Sequence, residues 1–276
     1  MSGIDAHHHL WNYDPQKYSW ISEEMSNIRR DFSPKDIKPH LDTHSFEGAV
    51  AVQAVQSEQE TQFLLAYAQE YPWIVGVVGW LDLCDEALPQ RLAYYSQNPK
   101  LKGIRHVVQA EPDDYFMLKE DFVRGIAQLH NFGLTYDILI FPKQLPAAIE
   151  LVGKFPNQPF VLDHIAKPFI KDQVMGSWDT HIRELAQHPH VFCKLSGMVT
   201  EAKWDNWTYE EFLPYLEVIF EAFGVERLMV GSDWPVCEVA GGYDSTLEIV
   251  KRFIAPLPEK EQQAIWGGNA RRFYHL

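Results

Sequence analysis

The sequence predicts one α/β domain, a (β/α)8 TIM barrel over residues 1–276 with an extra helix at its C-terminal end. Three observations lead to this fold. Eight short apolar, β-branched segments bounded by Gly, Pro or Asn alternate with longer segments of helical period. No Pro-, Gly- or Ser-rich linker separates two halves of the chain, and 276 residues is an ordinary length for such a barrel. A doubly wound open sheet is the structural alternative, but the sequence lacks the glycine-rich phosphate loop expected after its first strand.

The predicted strands are the eight apolar segments, which share β-branched residues and turn-forming boundaries. They cover residues 3–9, 48–55, 74–81, 102–108, 134–141, 160–164, 191–196 and 227–232. The connection after the first strand, about residues 10–45, is the longest, and its three prolines allow only a short helix near residues 35–41.

The other helices are predicted between successive strands from their apolar period. Ser57, followed by Glu60 three residues later, is a capping-box pattern at the start of the second helix. Gly133 and Gly224 end two later helices. These helices cover residues 58–71, 85–97, 119–131, 144–154, 178–188, 210–223 and 243–254, and a further helix in the tail from residue 259 would cover the barrel.

The composition limits the classes of partner. Lys and Arg number 24 and Asp and Glu 38, which gives a net charge of −14. This balance argues against nucleic acid or an anionic membrane, since both require a basic face. No apolar segment approaches the ~20 residues of a membrane span, the first residues do not resemble a signal peptide, and three scattered cysteines support neither a disulfide framework nor a structural zinc site. We expect a cytoplasmic protein that acts on a small molecule, and a homodimer stays open as its oligomeric state.

Ionisable residues at the C-terminal ends of the predicted strands are candidates for an active site, because catalytic side chains of parallel barrels lie there. His7 and His9 are two residues apart after the first strand, so they share the face that points into the barrel mouth. Two converging imidazoles can bind a divalent metal or polarise a carbonyl oxygen. Of the polar pair Asp163 and His164 at the end of the sixth strand, His164 is predicted to face inward. Asp233 follows the eighth strand and is the natural acid–base group opposite three imidazoles.

Each of these residues also has a structural interpretation. The histidine triplet could be a tag remnant or a chance run, His164 a core histidine bonded to the backbone, and Asp233 an N-cap. Six further residues at strand ends could contact substrate oxygens or a sugar ring, or could be ordinary rim residues. They are Arg105, His106, Lys194, Gln53, Trp80 and Trp11.

Several segments together resemble the amidohydrolase superfamily. They are the His-x-His after the first strand, His164, the segment 223–235 that reads FGVERLMVGSDWP, and the segment 268–274 that reads GNARRFY. Within the superfamily they are similar to the branch that contains 2-pyrone-4,6-dicarboxylate lactonase and sugar-acid lactonases such as L-fuconolactonase. The segments 162–168 (LDHIAKP) and 194–201 (KLSGMVTE) are also typical of that branch. The resemblance spans nearly the whole chain, and its motifs are specific only in combination.

The resemblance implies a barrel hydrolase in which His7, His9 and His164 polarise a lactone carbonyl and Asp233 takes a proton from the attacking water. The superfamily at large uses one or two divalent metals at this place. Here the fourth strand has no bridging lysine or glutamate and the fifth ends without a histidine, which argues against a two-metal centre. One Zn²⁺ or Mn²⁺ on His7, His9 and Asp233 stays open, and no cofactor is expected to be obligatory.

A lactone of a sugar acid, of the fuconate or rhamnonate type, is the predicted substrate. Acid–base groups supply roughly 10²–10⁴-fold acceleration and each oxyanion donor roughly 10²–10³-fold, which suffices for a cyclic ester more readily than for an amide. Arg105 and Lys194 are the obvious rim cations, too few for a planar dicarboxylate. Two alternatives remain: a mononuclear-metal decarboxylase of the same superfamily, and a barrel that only binds a sugar acid.

Overall fold

The computed structural model describes residues 3–276, and within them eight parallel strands form a barrel with helices between them. Each strand pairs with its neighbour in chain order. The strands are β1 (Gly3–His8), β2 (Phe46–Val52), β3 (Ile74–Gly79), β4 (Leu101–His106), β5 (Thr135–Ile138), β6 (Phe160–Leu162), β7 (Val191–Leu195) and β8 (Leu228–Val230). The predicted (β/α)8 fold is confirmed.

The barrel closes where the residues after β8 meet the end of β1. His8 and Trp234 form a parallel bridge. On either side of this bridge the Asp233 amide donates to the His7 carbonyl at 2.8 Å, and the His9 amide donates to the Trp234 carbonyl at 2.6 Å. The closure therefore fixes two of the predicted site segments against each other.

The helices follow the strands in the predicted alternation. Ser33 and Asp36 form a capping box at the start of the first helix, and Gly133 ends the segment after the fourth helix with a φ of +67°. The helices between strands are α1 (Pro34–Thr43), α2 (Glu58–Glu70), α3 (Leu88–Tyr95), α4 (Glu120–Leu129), α5 (Leu145–Lys154), α6 (Trp178–Leu185), α7 (Leu213–Phe223) and α8 (Gly242–Ile254).

The tail forms two short helices instead of one. α9 (Glu259–Gln263) and α10 (Asn269–Tyr274) are joined by a π-helical turn, Ala264–Gly268. α10 packs against the apolar side chains inside the barrel, and the Tyr274 hydroxyl donates to the Asp137 carboxylate at 2.7 Å. The tail therefore covers the floor of the barrel, as the sequence predicts.

Most element bounds agree with the prediction within a few residues, and the largest differences lie at strand ends. The fifth strand is predicted over 134–141 and spans Thr135–Ile138, and the sixth ends at Leu162 instead of residue 164. β6 ends at Leu162, just before the polar residues Asp163 and His164. Residues 164–167 then adopt positive φ, so the extended conformation does not continue. None of the helices among residues 3–276 is long and apolar enough to cross a bilayer.

Candidate active site

The end of β1 presents two imidazoles to the barrel mouth. His7 and His9 are buried, and their Nε2 atoms lie 3.2 Å apart. The His9 Nδ1 donates to the Val52 carbonyl at 2.8 Å, which turns Nε2 toward the mouth. His8 points the opposite way, with its ring 6.3 Å from that of Trp73. The register of β1 against β2 shifts between Asp5 and His8, but the side chains still alternate over residues 7–9 and give the predicted pair.

The end of β6 delivers a third imidazole through an unusual backbone. Residues 164–167 all have φ between +48° and +59°. Left-handed helical conformation costs about 1–2 kcal/mol per L-residue, and β-branched Ile165 is the strongest outlier among them. Neighbouring groups hold the turn. The His164 Nδ1 lies 2.9 Å from the Ser196 hydroxyl, and the Trp178 indole donates to the Ile165 carbonyl at 2.8 Å. His164 therefore reaches the mouth, as predicted.

Asp233 lies among the three imidazoles just after β8. Its Oδ1 is 3.3 Å from the Nε2 of His9 and 3.8 Å from the Nε2 atoms of both His7 and His164. The Asp233 backbone also has a positive φ, +57°. The structure therefore brings the four predicted catalytic side chains into one cluster.

Burial and mutual charge set the protonation states in this cluster. Burial lowers the pKa of His7 well below its usual value and lowers the pKa of His164 to about 4. Burial alone would raise the pKa of Asp233, but the surrounding imidazoles outweigh it and hold that pKa below its usual value. At neutral pH a carboxylate therefore faces neutral rings of His7 and His164. This is the state that a general base requires.

A layer of paired charges lies beneath the cluster. The Lys194 ammonium is 3.2 Å from the His7 Nδ1, 2.6 Å from the Asp137 carboxylate and 3.0 Å from that of Asp163. Arg105 donates to the other oxygen of Asp163 at 2.9 Å. Burial would raise the pKa of Asp163, but Lys194, His7 and Arg105 outweigh it and hold that pKa well below its usual value. Asp163 and His164 thus both face inward, which the alternation of a regular strand does not allow.

Of the six predicted substrate contacts, only Arg105 lines the cavity that the described residues enclose at the mouth. Lys194 is fully buried beneath His7, and Gln53 is fully buried with its amide donating to the Arg105 carbonyl at 3.0 Å. These two positions differ from the rim positions predicted for them, because both side chains turn into the barrel interior.

His106, Trp80 and Trp11 also lie away from the cavity wall. His106 follows Arg105 on β4, so it takes the opposite face and pairs with Glu111 at 2.7 Å. The Trp80 indole meets the other nitrogen of His106 at 3.4 Å. Trp11 is fully buried in an aromatic cluster beside the mouth. The predicted contacts between these three side chains and substrate are therefore not supported by the geometry.

The cavity itself has a volume of about 440 Å³ and opens above Asp233. Several residues that line the cavity were not predicted from the sequence. Lys167 and Glu201 could have been found, since they lie in the two segments typical of the lactonase branch. The others lie in irregular connections, which have no periodicity from which to predict them. The unpredicted lining residues include Lys17, Trp20, Met25, Lys167, Glu201 and Trp204.

The donor set fits one divalent metal ion. Because the His9 Nδ1 donates to a carbonyl, a neutral His9 ring turns its Nε2 lone pair toward the Asp233 carboxylate 3.3 Å away. Two acceptors at this distance need a cation between them, either a proton or a metal. One ligand atom from each of His7, His164 and Asp233 also lies within 4.8 Å of the others. Imidazole nitrogens and a carboxylate oxygen are the ligands that Zn²⁺ prefers, and His164 joins the ligand set predicted from the sequence.

Three imidazoles and a carboxylate thus meet at the C-terminal mouth of a (β/α)8 barrel, where the active sites of such barrels lie. The family model described as amidohydrolase matches residues 4–276, so the chain belongs to the amidohydrolase family.

Individual relatives cover almost the whole chain. An L-fucono-1,5-lactonase from Burkholderia multivorans is 39% identical over 99% of this chain and 96% of its own length. A crystal structure of an amidohydrolase from Burkholderia multivorans with bound Zn is also 39% identical, covers 100% of both chains and superposes with a TM-score of 0.96. An L-rhamnono-gamma-lactonase from Scheffersomyces stipitis is 26% identical over 64% of this chain and 59% of its own length.

Proposed function

We propose that this protein is a hydrolase that opens the lactone ring of a sugar acid, such as L-fucono- or L-rhamnonolactone, to give the free aldonate. The observation that carries the proposal is the cluster of one carboxylate and three imidazole Nε2 atoms within 3.8 Å of it. The names of the relatives, two L-fucono-1,5-lactonases and an L-rhamnono-gamma-lactonase, support the same reaction.

In this mechanism Asp233 is the general base. It is ionised at neutral pH, it lines the cavity, and it takes a proton from water as the water attacks the lactone carbonyl. His7 and His164 are the proposed donors to the carbonyl oxygen as charge develops on it. The His9 ring donates through Nδ1 to the Val52 carbonyl, so its Nε2 adds to this stabilisation only when it carries a proton. The protonated Asp233 then returns its proton to the ring oxygen as the carbon–oxygen bond breaks. The buried charge layer keeps His7 in place through Lys194.

A divalent ion held by His7, His9, His164 and Asp233 would supply Lewis acidity and lower the pKa of a bound water. The residues fit such an ion, and a structure 39% identical to this chain contains Zn.

The cavity walls favour a neutral sugar lactone over a dicarboxylate. Arg105 is the one guanidinium among the described lining residues, and it already binds Asp163 at 2.9 Å. Lys17 and Lys167 also line the cavity, but Lys167 lies 3.6 Å from the Glu201 carboxylate, and Glu201 and Asp233 would repel an added carboxylate. Trp20 and Trp204 offer flat apolar faces to the C–H face of a sugar ring. The two aromatic walls thus take the place of those predicted at Trp11 and Trp80.

The rival functions make different demands. A mononuclear-metal decarboxylase would release CO₂ from an aromatic or dienoic acid and lose all activity without its metal. A barrel that only binds a sugar acid has no use for an ionised base facing three imidazoles. The ionised base therefore favours ring opening over simple binding, and the lactonase names of the relatives favour it over decarboxylation.

The test is a pH-indicator screen of aldono-1,5- and aldono-1,4-lactones, run before and after exhaustive chelation and after return of Zn²⁺ or Mn²⁺. We expect acid release from lactones of the fuconate or rhamnonate type. Residual activity after chelation measures how far Asp233 and the imidazoles suffice alone. CO₂ release from aromatic acids with no lactone opened would replace this proposal by the decarboxylase, and calorimetric binding of aldonates with no turnover would replace it by the binding barrel.

The proposed enzyme is a single domain that acts on a small molecule in the cytoplasm, without nucleic acid or membrane as partner. The net charge of −14 and the three free cysteines, Cys84, Cys193 and Cys237, support this setting. A homodimer is the proposed assembly, and light scattering after size-exclusion chromatography would test it.

A further inference from the structure

One charged pair on the cavity wall has no part in the mechanism above. Lys167 follows β6 at the end of the left-handed turn, and Glu201 lies in the short 3-10 turn after β7. Both side chains line the cavity, and they are only 16% and 21% exposed. The pair thus lines the same cavity as His164.

The distance between the two charges shows whether a direct hydrogen bond joins them. The Lys167 Nζ lies 3.6 Å from the Glu201 Oε1, which is longer than a direct hydrogen bond. By contrast, the buried Lys194 ammonium lies 2.6 Å from its carboxylate. The Lys167–Glu201 pair is therefore not closed by a direct hydrogen bond, so the ammonium and the carboxylate can each bind a substrate hydroxyl group.

The backbone at Lys167 is held in an unfavourable conformation. Lys167 has a φ of +48° and is the last of four consecutive residues in the left-handed region. Its amide donates to the His164 carbonyl at 2.8 Å, so the turn that places the imidazole also places the ammonium. Such backbone conformations are unfavourable and concentrate at functional sites.

On the other side, Thr200 lies next to the glutamate. The Thr200 hydroxyl donates to the Gly197 carbonyl at 2.8 Å and lies 3.5 Å from the Glu201 Oε1. Lys167 and Glu201 line the same cavity as Asp233, so the pair lies beside the reacting centre.

We propose that Lys167 and Glu201 determine specificity by binding two neighbouring hydroxyl groups of the substrate. The ammonium donates to one hydroxyl oxygen, and the carboxylate accepts the hydrogen of the other. A sugar lactone offers such a diol, whereas an unsubstituted lactone does not, and a carboxylated one would be repelled by Glu201. This inference rests on the proposed lactonase function and adds the chemical feature that the enzyme reads.

The test compares two lactones with the same ring. One is the aldono-1,5-lactone opened fastest in the screen, and the other is δ-valerolactone, which has no hydroxyl groups. Lys167→Met and Glu201→Leu remove the two polar groups, and Lys154→Met removes an exposed lysine paired with Glu150 on α5, outside the cavity. Thermal unfolding shows whether each variant is folded.

We expect Lys167→Met and Glu201→Leu to lower kcat/KM for the aldonolactone about 10- to 100-fold, mainly through KM, because each loses a hydrogen bond to a charged group. For δ-valerolactone, followed as a substrate or as a competitive inhibitor of the aldonolactone, the change should stay within about threefold. The control Lys154→Met should change neither value. The conservative variants Lys167→Arg and Glu201→Gln should recover part of the preference for the hydroxylated substrate, and they carry the test where the first variants do not fold.

An equal loss for both lactones would mean that the pair only supports the site, and no loss for the aldonolactone would mean that it does not touch the substrate. Either result overturns the inference while leaving the lactonase function intact. Failure of the wild-type protein to open any aldonolactone would instead reject the proposed function itself.

Discussion

The ends of β1 and β6 deliver imidazoles to the same carboxylate in two different ways. At β1 the chain stays extended, so His7 and His9 share one face and His8 takes the other. At β6 the strand stops at Leu162, and the left-handed turn that follows brings His164 to the mouth. Periodicity alone is sufficient for the first arrangement. The second depends on neighbouring groups that compensate for an unfavourable backbone.

The compensation at β6 comes mostly from the next strand and helix. Ser196 bonds the His164 ring, Trp178 bonds the Ile165 carbonyl, and Gly197 leaves the space that the ring occupies. A site can therefore combine one half set by strand alternation with one half that is sensitive to its surroundings. Each of the following predictions separates the two halves or tests what joins them.

The largest effect is expected at Asp233, which contacts the imidazoles of both halves. Asp233→Asn should lower kcat by about 10²–10⁴-fold, because the amide cannot accept the proton of the attacking water. The measurement is lactone hydrolysis at pH 7, with circular dichroism to check the fold. Asp244→Asn, the same change at an exposed aspartate paired with His44, is the control and should leave activity unchanged. If Asp233→Asn keeps more than about a tenth of the wild-type kcat, the base role is excluded.

The second prediction tests the dependence of the β6 half on its neighbours. A Cβ at Gly197 would lie 2.4 Å from the His164 Nδ1, and Gly197 has a φ of +61°. Gly133 has a similar φ of +67° but open space around it. We expect Gly133→Ala to lose about 1 kcal/mol of stability through backbone strain alone, with normal kcat.

Gly197→Ala should lose more stability than Gly133→Ala and should also lower kcat about 10²-fold by displacing His164. Chemical denaturation and steady-state kinetics on the two variants give both values. Equal losses of stability with normal kcat in both variants would show that the His164 ring can move without consequence.

The third prediction concerns the charge state of the same ring. Burial disfavours protonated His164 and lowers its pKa to about 4, so the ring stays neutral as pH falls from 8 to 5. With an ordinary pKa near 6.5 it would be mostly protonated at pH 5. NMR of ¹⁵N-labelled histidine, with the His164 signals assigned by their loss in His164→Gln, should show no titration down to pH 5. A titration midpoint between pH 6 and 7 would contradict the burial described here.

The smallest effect is expected at the third histidine of β1. His8 is buried, burial lowers its pKa to about 3, and neither ring nitrogen finds a partner in good hydrogen-bond geometry among the described residues, although the Val50 backbone lies near. His8→Leu should leave kcat within twofold and should raise the free energy of unfolding by about 1 kcal/mol, because an unsatisfied polar ring is removed. A clear loss of stability in urea denaturation would mean that the ring is satisfied after all.

The regular part of this molecule is the part that can be predicted from sequence. The eight strands and the alternating helices follow from periodicity. The grouping of His7, His9, His164 and Asp233 at the mouth follows from the rule that barrel sites lie at C-terminal strand ends, but the inward direction of His164 depends on the left-handed turn. The orientation of His8 follows from the same alternation.

The rest depends on contacts between distant parts of the chain. The paired charges of Lys194 with Asp137 and Asp163 become visible only when β5, β6 and β7 are adjacent. The left-handed turn after β6 has no glycine to announce it. The walls formed by Trp20 and Trp204 come from connections whose path is set by what they pack against. Arg105 and His106 show the simplest error, because neighbours on one strand cannot both face inward.

The charge layer beneath the site bears on how this enzyme could acquire new substrates. Arg105 and Lys194 are matched by Asp137 and Asp163, and all four are nearly or fully buried, so a single replacement would strand an unpaired charge at about 3–5 kcal/mol. In laboratory selection, single substitutions at these four positions should therefore rarely be tolerated. Trp20, Met25 and Trp204, on surface connections, are where a library would explore new ring sizes and stereoisomers while the base stays in place.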